Sequence, residues 1–382
     1  YTMKVLGLNC GYNGSVSVVV DGQVKSFVKT GDNFDRGVTK VAIKEALDSA
    51  GLKLRNIDVA SVVNWFSDRY PDGQECWDKN EEGFSLTKEN GIEFSLQDYI
   101  EFYQNVSQVA LGTYNLNIGD QVVPCMVVDH IFTHSAYAYL TSPFDNCMSI
   151  CIDTQDGFGA TNAIYWIQDS DKSFRPWRRD QQFAPINTYT SFTDYIGNYP
   201  AIENLSVIQE LAGDKRNNDP KLNTWAWPNN IQMGNLFHGD QWAGLMSYEQ
   251  VTTVPDKIGY FPSLTNEGTV DDNWLDAKDT GLTDRRTSIA IDVLTIVESS
   301  IRSYVNTAKD FGNNVAIGGK VTMFDSLVKE LSDDKTFFTQ PHNDEELSAG
   351  SALFISDQLM KNKKGEIITN TKSKITAKEV IR

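Results

Sequence analysis

The feature that most constrains the fold of this chain is an internal repetition. An apolar strand, a glycine-rich turn, a second strand, a polar turn and a third strand occur twice, beginning near residues 4 and 147. The predicted strands are 4–10, 15–20 and 23–29 in the first copy, and 147–153, 161–167 and 173–178 in the second. Repetition of such a unit indicates a duplicated α/β architecture. Two unrelated α/β domains are the alternative that patterning leaves open.

Helices and further buried strands follow each copy of the repeated unit. Predicted helices cover 40–50, 130–140, 286–311, 322–331 and 347–359, and predicted buried strands cover 57–65, 124–129 and 314–317. The polar stretch 67–95 is predicted to be a surface excursion. We therefore expect a first lobe over residues 3–145 and a second lobe over residues 146–360.

A β-β-β-α-β-α unit that occurs twice, with glycine turns after its first strand, is typical of the actin-like ATPase superfamily. Its two lobes lie around a cleft, where the two turns hold nucleotide phosphates through backbone N–H groups. A glycine pair after a buried strand would bring the backbone close to an adenosine. The predicted nucleotide-binding residues are Asn13, Gly14, Ser15, Asp156, Gly157, Gly318 and Gly319.

Composition excludes several classes of protein. Among 382 residues, 40% are apolar and 22% are charged, as in an ordinary globular chain. No apolar run approaches the length of about 18 residues that spans a membrane. The net charge of −17 repels nucleic acid and anionic membranes. Five cysteines without a CxxC pair indicate reduced thiols in a cytoplasmic protein.

Two of the four histidines, His130 and His134, are spaced to share one face of a predicted helix. Their Cβ atoms would lie about 5–6 Å apart, close enough to chelate one cation. Asp153 at a strand end and Asp344 before a helix are candidate carboxylate ligands, giving a mixed N/O site for iron, manganese or zinc. One core histidine and one exposed histidine are the alternative.

A resemblance to a known family rests on motifs along most of the chain. Residues 129–144, DHIFTHSAYAYLTSPF, closely resemble the motif DHHLAHAASAFYPSPF of nodulation-protein and tobramycin-type O-carbamoyltransferases. Weaker matches occur in the family's order at 6–9 (LGLN), 152–157 (IDTQDG), 316–319 (AIGG) and 340–352. The resemblance covers nearly all of residues 3–360.

This resemblance implies an activity and its cofactors. The family's front domain is similar to the ATPase that makes threonylcarbamoyladenosine in tRNA, and holds a divalent metal, usually iron; manganese, zinc and magnesium are alternatives. By resemblance, His130, His134, Asp153 and Asp344 would be its ligands. A YrdC-like domain makes carbamoyl-adenylate from carbamoyl phosphate and ATP, and the front domain passes the carbamoyl group to a hydroxyl. We expect residues 361–382 to be a linker and the start of such a domain.

Departures from the family pattern leave other functions open. Tyr12-Asn13 replaces the family's His-Asp, and Lys320 follows Gly-Gly without the family's asparagine. No catalytic base is therefore assigned. The alternatives are an actin-like sugar kinase or ATPase, which needs Mg²⁺ but neither histidine, and a non-catalytic scaffold.

The expected partner is a small-molecule acceptor with a hydroxyl group, such as a sugar, an antibiotic or another metabolite. A hydroxymethylated base in DNA is a special case, against which the negative charge argues. The sequence does not determine the oligomeric state, and a homodimer is compatible with it.

Overall fold

A computed structural model describes residues 2–11, 13–30, 38–66, 84–104, 109–153, 162–167, 174–180, 186, 285–312, 314–340 and 344–361. The chain divides into two compact units. One contains Tyr1–Arg179, Ala308–Thr322 and Leu331–Arg382, and the other contains Asp180–Thr307 and Met323–Glu330. The candidate site lies in the first unit. The lobe boundaries at 145 and 360 stay a prediction.

The three strands of the first repeat lie side by side at one end of a larger, seven-stranded mixed sheet. Its strands are β1 (Lys4–Asn9), β2 (Ser15–Val20), β3 (Gln23–Lys29), β4 (Val59–Val63), β5 (Phe84–Lys88), β6 (Ala110–Ile118) and β7 (Gln121–Val128). They lie in the order β3-β2-β1-β4-β7-β6-β5. β1 pairs antiparallel with β2 and parallel with β4, which is itself parallel to β7.

The three strands of the second repeat belong to a five-stranded sheet with the same strand order as the corresponding part of the first sheet. Its strands are β8 (Cys147–Ile152), β9 (Asn162–Ile167), β10 (Phe174–Asp180), β11 (Val315–Gly318) and β12 (Thr336–Phe338). They lie in the order β10-β9-β8-β11-β12, with β8 antiparallel to β9 and parallel to β11, and β11 parallel to β12. This order repeats that of β3-β2-β1-β4-β7. The predicted fold class, a duplicated actin-like α/β fold, is confirmed.

Each half of the chain contributes a helix that packs on the sheet of the other half. The described helices are α1 (Lys40–Ser49), α2 (Leu96–Gln104), α3 (His130–Thr141), α4 (Arg285–Gly312), α5 (Asp325–Leu331) and α6 (Leu347–Lys361). α3, which closes the first repeat, packs on β8, β9 and β11 of the second sheet. α6, which closes the second, packs on β1, β2 and β4 of the first sheet, and the two helices contact each other. Each sheet is therefore covered by a helix from the other half, an arrangement we call the exchange of α3 and α6.

Glycines permit the close approach of α6. A Cβ atom at Gly7 in β1 would lie 1.9 Å from the carbonyl oxygen of Ser348, and one at Gly350 would lie 3.0 Å from that of Thr133 in α3. The buried hydroxyls of Ser61 in β4 and Ser351 in α6 are 2.9 Å apart. These contacts fix the beginning of α6, and with it the segment that precedes the helix.

Two predicted elements are corrected. A single helix over 322–331 is wrong: Lys320–Met323 form a 3₁₀ turn, and α5 begins only at Asp325. The surface excursion over 67–95 is wrong in its last part, because Phe84–Lys88 form β5, whose Leu86 is buried against the core. The alternation of apolar and polar residues in FSLTK suits a sheet with one covered face. Residues 67–83 lie outside the described residues.

The described cysteines lie in the interior of the protein. Cys125, Cys147 and Cys151 are buried free thiols, Cys10 is also buried, and Cys76 lies outside the described residues. Among the described helices, none is both long and apolar enough to cross a membrane.

Candidate metal centre

The helix that carries the two histidines begins at a defined cap. Asp129 follows β7 in extended conformation, and its Oδ1 accepts a hydrogen bond from the backbone N–H of Phe132 at 2.7 Å. A side-chain acceptor at this position stabilises the first helical turn. His130 is therefore the first residue of α3, and His134 lies one turn further along the same face.

The four predicted ligands converge. One donor atom from each of His130, His134, Asp153 and Asp344 lies within 4.8 Å of the others, and all four residues are buried. His134 Nε2 is 2.8 Å from Asp153 Oδ2 and 3.4 Å from Asp344 Oδ1. His130 Nε2 is 3.1 Å from His134 Nε2 and 3.9 Å from Asp344 Oδ1. The alternative of one buried and one exposed histidine is wrong for this pair.

Outer partners direct both imidazoles towards this cluster. Glu346 Oε1 lies 2.7 Å from His134 Nδ1, and Asn64 Oδ1 lies 3.0 Å from His130 Nδ1. With Nδ1 engaged, Nε2 of each ring points at the carboxylates. Histidines that bind metals commonly have such a partner on their second nitrogen.

A chain of amides extends from the cluster into the first sheet. Asn64 Nδ2 donates to Asn9 Oδ1 at 3.1 Å, and Asn9 Nδ2 donates to the carbonyl oxygen of Asp344 at 3.0 Å. Asn64 follows β4 with a φ of 56°, a conformation that asparagine tolerates better than most residues. Asn9, Asn64 and Glu346 were not predicted as site residues. A polar residue at the end of a buried strand is the signal that marks the two asparagines.

Lys320 also belongs to this cluster, and it was not predicted as a site residue. Its Nζ lies 3.0 Å from Asp153 Oδ1 and 2.9 Å from both carboxylate oxygens of Asp344. Its backbone N–H donates to Asp153 Oδ2 at 3.2 Å, and the residue is only 3% exposed. The one sequence signal is its place directly after Gly318-Gly319, where it departs from the family motif.

The two imidazoles have opposite pKa shifts. Burial lowers the pKa of His130, and this outweighs the attraction of Asp344. Burial also opposes the charged form of His134, but the Asp153 and Glu346 carboxylates raise its pKa well above the usual value. His134 is therefore the ring that carries a proton when no metal is bound.

The carboxylates remain ionised despite their burial. Burial alone would raise the pKa of Asp153, yet the Lys320 ammonium and then His134 hold it well below the usual value. The pKa of Asp344 is lowered against the same effect of burial, chiefly by Lys320. Burial disfavours the charged form of Lys320, but the two carboxylates raise its pKa. The centre is thus an interior cluster of paired charges.

By donor type alone, the four side chains suit a divalent transition metal. Two imidazole nitrogens and two carboxylate oxygens are ligands that iron, manganese and zinc accept. Two atoms that bind one ion at about 2.0–2.2 Å lie at most about 4.4 Å apart, so separations up to 4.8 Å need only a small movement. The outer contacts of both rings fit as well. The exception is Lys320, whose ammonium touches three of the four carboxylate oxygens.

The predicted nucleotide-binding residues have structural partners. Ser15 Oγ donates to the carbonyl oxygen of Glu345 at 2.6 Å and lies 2.8 Å from Ser348 Oγ, at the beginning of α6. Asn13 has a φ of 51°, and its carbonyl oxygen accepts from Asn9 Nδ2 at 3.3 Å. The carbonyl oxygen of Gly14 accepts from the Thr30 N–H at 2.9 Å.

The later glycines lie against neighbouring backbone. A Cβ at Gly318 would be 2.7 Å from the carbonyl oxygen of His134, and one at Gly319 would be 2.6 Å from that of Ile152. Both glycines therefore permit β11 to approach α3 and β8. Asp156 and Gly157 lie outside the described residues. Nucleotide binding by all seven residues stays a prediction.

Comparisons with known proteins yield only structural likenesses. No protein-family model matches this chain, and no curated protein sequence is significantly similar to it. Component A of the (R)-2-hydroxyglutaryl-CoA dehydratase of Acidaminococcus fermentans is 13% identical, with 95% of this chain and 99% of that chain covered and a TM-score of 0.41. The Clostridium difficile activator of 2-hydroxyisocaproyl-CoA dehydratase, solved with ADPNP, is 11% identical, with 96% and 99% covered and a TM-score of 0.41.

A third solved structure is a kinase. The ROK family glucokinase of Streptomyces griseus, in complex with glucose and AMPPNP, is 13% identical, with 92% of this chain and 98% of that chain covered and a TM-score of 0.33. These are proteins that the chain resembles in outline. Its fold class follows from the strand order of its own two sheets.

Proposed function

We propose that this chain is the transferring domain of an O-carbamoyltransferase, which passes a carbamoyl group from carbamoyl-adenylate to the hydroxyl of a small molecule. The convergence of His130, His134, Asp153 and Asp344 carries the proposal. The family resemblance implies these four residues as a ligand set, and they come from three separate segments of the sequence. Their meeting in one buried cluster supports the resemblance over a chance HxxxH spacing.

The proposed reaction requires positive charge beside the carbamoyl oxygen, and the centre can supply it. The oxygen of the acceptor hydroxyl attacks the carbamoyl carbon and forms a C–O bond, and its proton passes to solvent. The bond from the carbamoyl carbon to the phosphate oxygen breaks, AMP leaves, and the carbonyl oxygen gains negative charge on the way. Positive charge fixed beside that oxygen lowers the barrier, and more strongly in a buried site than in water. A cation held by Asp153 and Asp344, either a divalent ion or the Lys320 ammonium, would supply that charge. Glu346 and Asn64 would keep the two imidazoles in orientation.

The imidazoles favour carbamoyl transfer over phosphoryl transfer. Magnesium, the usual ion of phosphoryl transfer, prefers oxygen ligands and keeps several waters. A buried pair of imidazole nitrogens suits a softer ion that polarises a carbonyl group. His130 and His134 would have no evident task in a sugar kinase.

An actin-like ATPase or sugar kinase is the second candidate, and Lys320 is the observation that favours it. A centre whose carboxylates already hold an ammonium group does not need a transition metal. Phosphoryl transfer would bring Mg²⁺ with the nucleotide. This candidate predicts ADP and a phosphorylated acceptor, whereas carbamoyl transfer predicts AMP and a carbamate ester.

The test combines the protein with a YrdC-like domain, carbamoyl phosphate, ATP and a panel of hydroxylated acceptors. Mass spectrometry follows the acceptors, and chromatography separates AMP from ADP. We expect a carbamoylated acceptor with AMP, and loss of this product in His130→Ala and Asp344→Asn. Cys125→Ala, which alters a buried residue of β7 away from the ligand set, is the matched control and should keep the product. A phosphorylated acceptor with ADP would establish the second candidate instead.

A further inference from the structure

The carboxylates of the centre already have a complete set of positively polarised partners. Asp153 Oδ1 and both oxygens of Asp344 lie at 2.9–3.0 Å from the Lys320 ammonium. The remaining oxygen, Asp153 Oδ2, accepts a hydrogen bond from the Lys320 backbone N–H at 3.2 Å and lies 2.8 Å from His134 Nε2. A lysine ammonium has three N–H donors, and three oxygen contacts use them.

The local backbone holds Lys320 in this position. Gly319 has a φ of 89°, and a Cβ there would lie 2.6 Å from the carbonyl oxygen of Ile152 and 3.0 Å from Asp153 Oδ2. The 3₁₀ turn that follows is closed by Thr322, whose hydroxyl donates to the carbonyl oxygen of Gly319 at 2.9 Å. The lysine is thus presented from a tight, buried turn and not from a flexible surface loop.

Because the ammonium and the carboxylates are buried, each needs the other as a partner of opposite charge. A charge removed from water is tolerated only when an opposite charge and hydrogen bonds replace its hydration. Lys320 is 3% exposed and Asp153 is fully buried, so neither can turn to solvent. A divalent ion bound to the same oxygens would also lie within a few ångströms of the ammonium and would be repelled by it.

We propose that the Lys320 ammonium is the resident cation of this centre, that it takes the place of a divalent metal, and that it excludes such metals from Asp153 and Asp344. The proposal takes from the proposed function only that this cluster is the functional centre. The Lys320 ammonium then supplies the positive charge beside the reacting oxygen. His130 and His134 remain as hydrogen-bonding groups around the ammonium–carboxylate set.

The test measures metal content and metal-dependent stability. The purified protein is incubated separately with Fe²⁺, Mn²⁺, Zn²⁺ and Mg²⁺, desalted, analysed by plasma mass spectrometry and melted in a thermal-shift assay. Lys320→Met and Lys320→Gln remove the charge at similar length. Lys309→Met is the matched control, because Lys309 pairs with the exposed Asp333 at 3.1 Å outside the cluster.

We expect far less than one metal ion per chain, and an unchanged Tm, in the natural protein and in Lys309→Met. Both Lys320 variants should retain close to one ion per chain, bind Zn²⁺ at least about tenfold more tightly, and gain several degrees of Tm with metal. A natural protein that retains one ion per chain would overturn the proposal, even if the Lys320 variants fail to fold. Variants that fold and take up no more metal than Lys309→Met would also overturn it.

Failure of this proposal and failure of carbamoyl transfer are distinguishable. The readout here is the number of bound ions, whereas the transferase test identifies a product. A metal-loaded natural protein that carbamoylates its acceptor would reject only the role of Lys320. A metal-free protein that transfers phosphate would reject only the carbamoyl reaction.

Discussion

The residues of the centre stand at the ends of secondary-structure elements. Asn9 ends β1, Asn64 follows β4, Asp153 follows β8, and Lys320 comes two residues after β11, while His130 begins α3. β1 and β4 are parallel, as are β8 and β11. Carboxyl ends of parallel strands meet at one edge of a sheet, which is where α/β proteins commonly bind ligands. Position in the element, more than residue type, therefore explains which side chains meet.

Gly319 is the residue on which the turn before Lys320 depends. Gly319→Ala adds a methyl group 2.6 Å from the carbonyl oxygen of Ile152, at a φ of 89° that alanine adopts only with strain. We expect the free energy of unfolding to fall by about 2–4 kcal/mol, measured by urea denaturation. Gly51→Ala is the control, because Gly51 also has a positive φ, 68°, but an added Cβ meets nothing within 4 Å. Equal losses in the two variants would show that the close contact is unimportant.

The two imidazoles predict how stability depends on pH in metal-free protein. The folded-state pKa of His134 is raised, so its stabilisation is complete below the unfolded value of about 6.5 and is lost as pH rises towards the folded value. The pKa of His130 is lowered, so its contribution is complete above about 6.5 and is lost as pH falls through the folded value. Their combined contribution is therefore greatest near pH 6.5.

Between about pH 6.5 and 8, below the range where thiols ionise, His134 should dominate the slope. We expect the free energy of unfolding to fall by up to about 1.4 kcal/mol per pH unit in this interval. Glu346→Gln, which removes one carboxylate that raises the His134 pKa, should flatten this part of the curve. Urea melts at a series of pH values measure it. A slope near zero over this interval in the natural protein would show that His134 is not protonated in the folded protein.

At the scale of elements, local periodicity predicts what packs locally. The strands at 4–10, 15–20 and 23–29 lie within one residue of β1, β2 and β3, because buried continuous runs and turn residues mark them. β6 (Ala110–Ile118) was not predicted, because no strong turn marks its beginning, although YNLNI alternates apolar and polar residues as a half-buried strand does. The exchange of α3 and α6 has no signal in the sequence, since an apolar helix face does not specify which sheet it covers.

Gly350 controls the contact between the two exchanged helices. Gly350→Val would place its Cβ 2.9 Å from Thr133 Cγ2 and 3.0 Å from the carbonyl oxygen of Thr133 in α3. We expect a loss of about 1–3 kcal/mol in the free energy of unfolding, although valine favours a helix more than glycine does. Thermal and urea melts measure it. Ser49→Val, at an exposed position of α1, is the control and should change stability by less than about 0.5 kcal/mol. A neutral Gly350→Val would mean that α3 and α6 can separate without cost.

At the scale of the whole molecule, the candidate centre belongs to both halves of the duplication. The first half supplies His130 and His134 on α3, and the second half supplies Asp153, Lys320 and Asp344. The convergence of His130, His134, Asp153 and Asp344 was predictable because each is a chemically distinctive residue close to the end of a strand or the beginning of a helix. Lys320 was not, because a lysine after a glycine pair is usually exposed, and its burial depends on how closely β11 approaches β8.

The exchange of helices also predicts that the first half cannot fold alone. In residues 3–145 the first sheet would lack α6. α3 would expose Phe132, which is fully buried and whose ring contacts Tyr165, Phe174 and Phe354 of the second half. Apolar surface costs roughly 25 cal/mol per Å² when it is returned to water, and a domain is stable by only about 5–15 kcal/mol.

We therefore expect 3–145 expressed alone to lack a cooperative urea transition and dispersed amide resonances. Co-expression with the chain from residue 146 onward should restore both, and the two pieces should co-purify. This co-expressed pair is the control, because it contains the same chain break with every helix present. A cooperative transition in 3–145 alone would mean that the first sheet has a sufficient core of its own, with α1 and α2 covering what α6 covers in the intact chain.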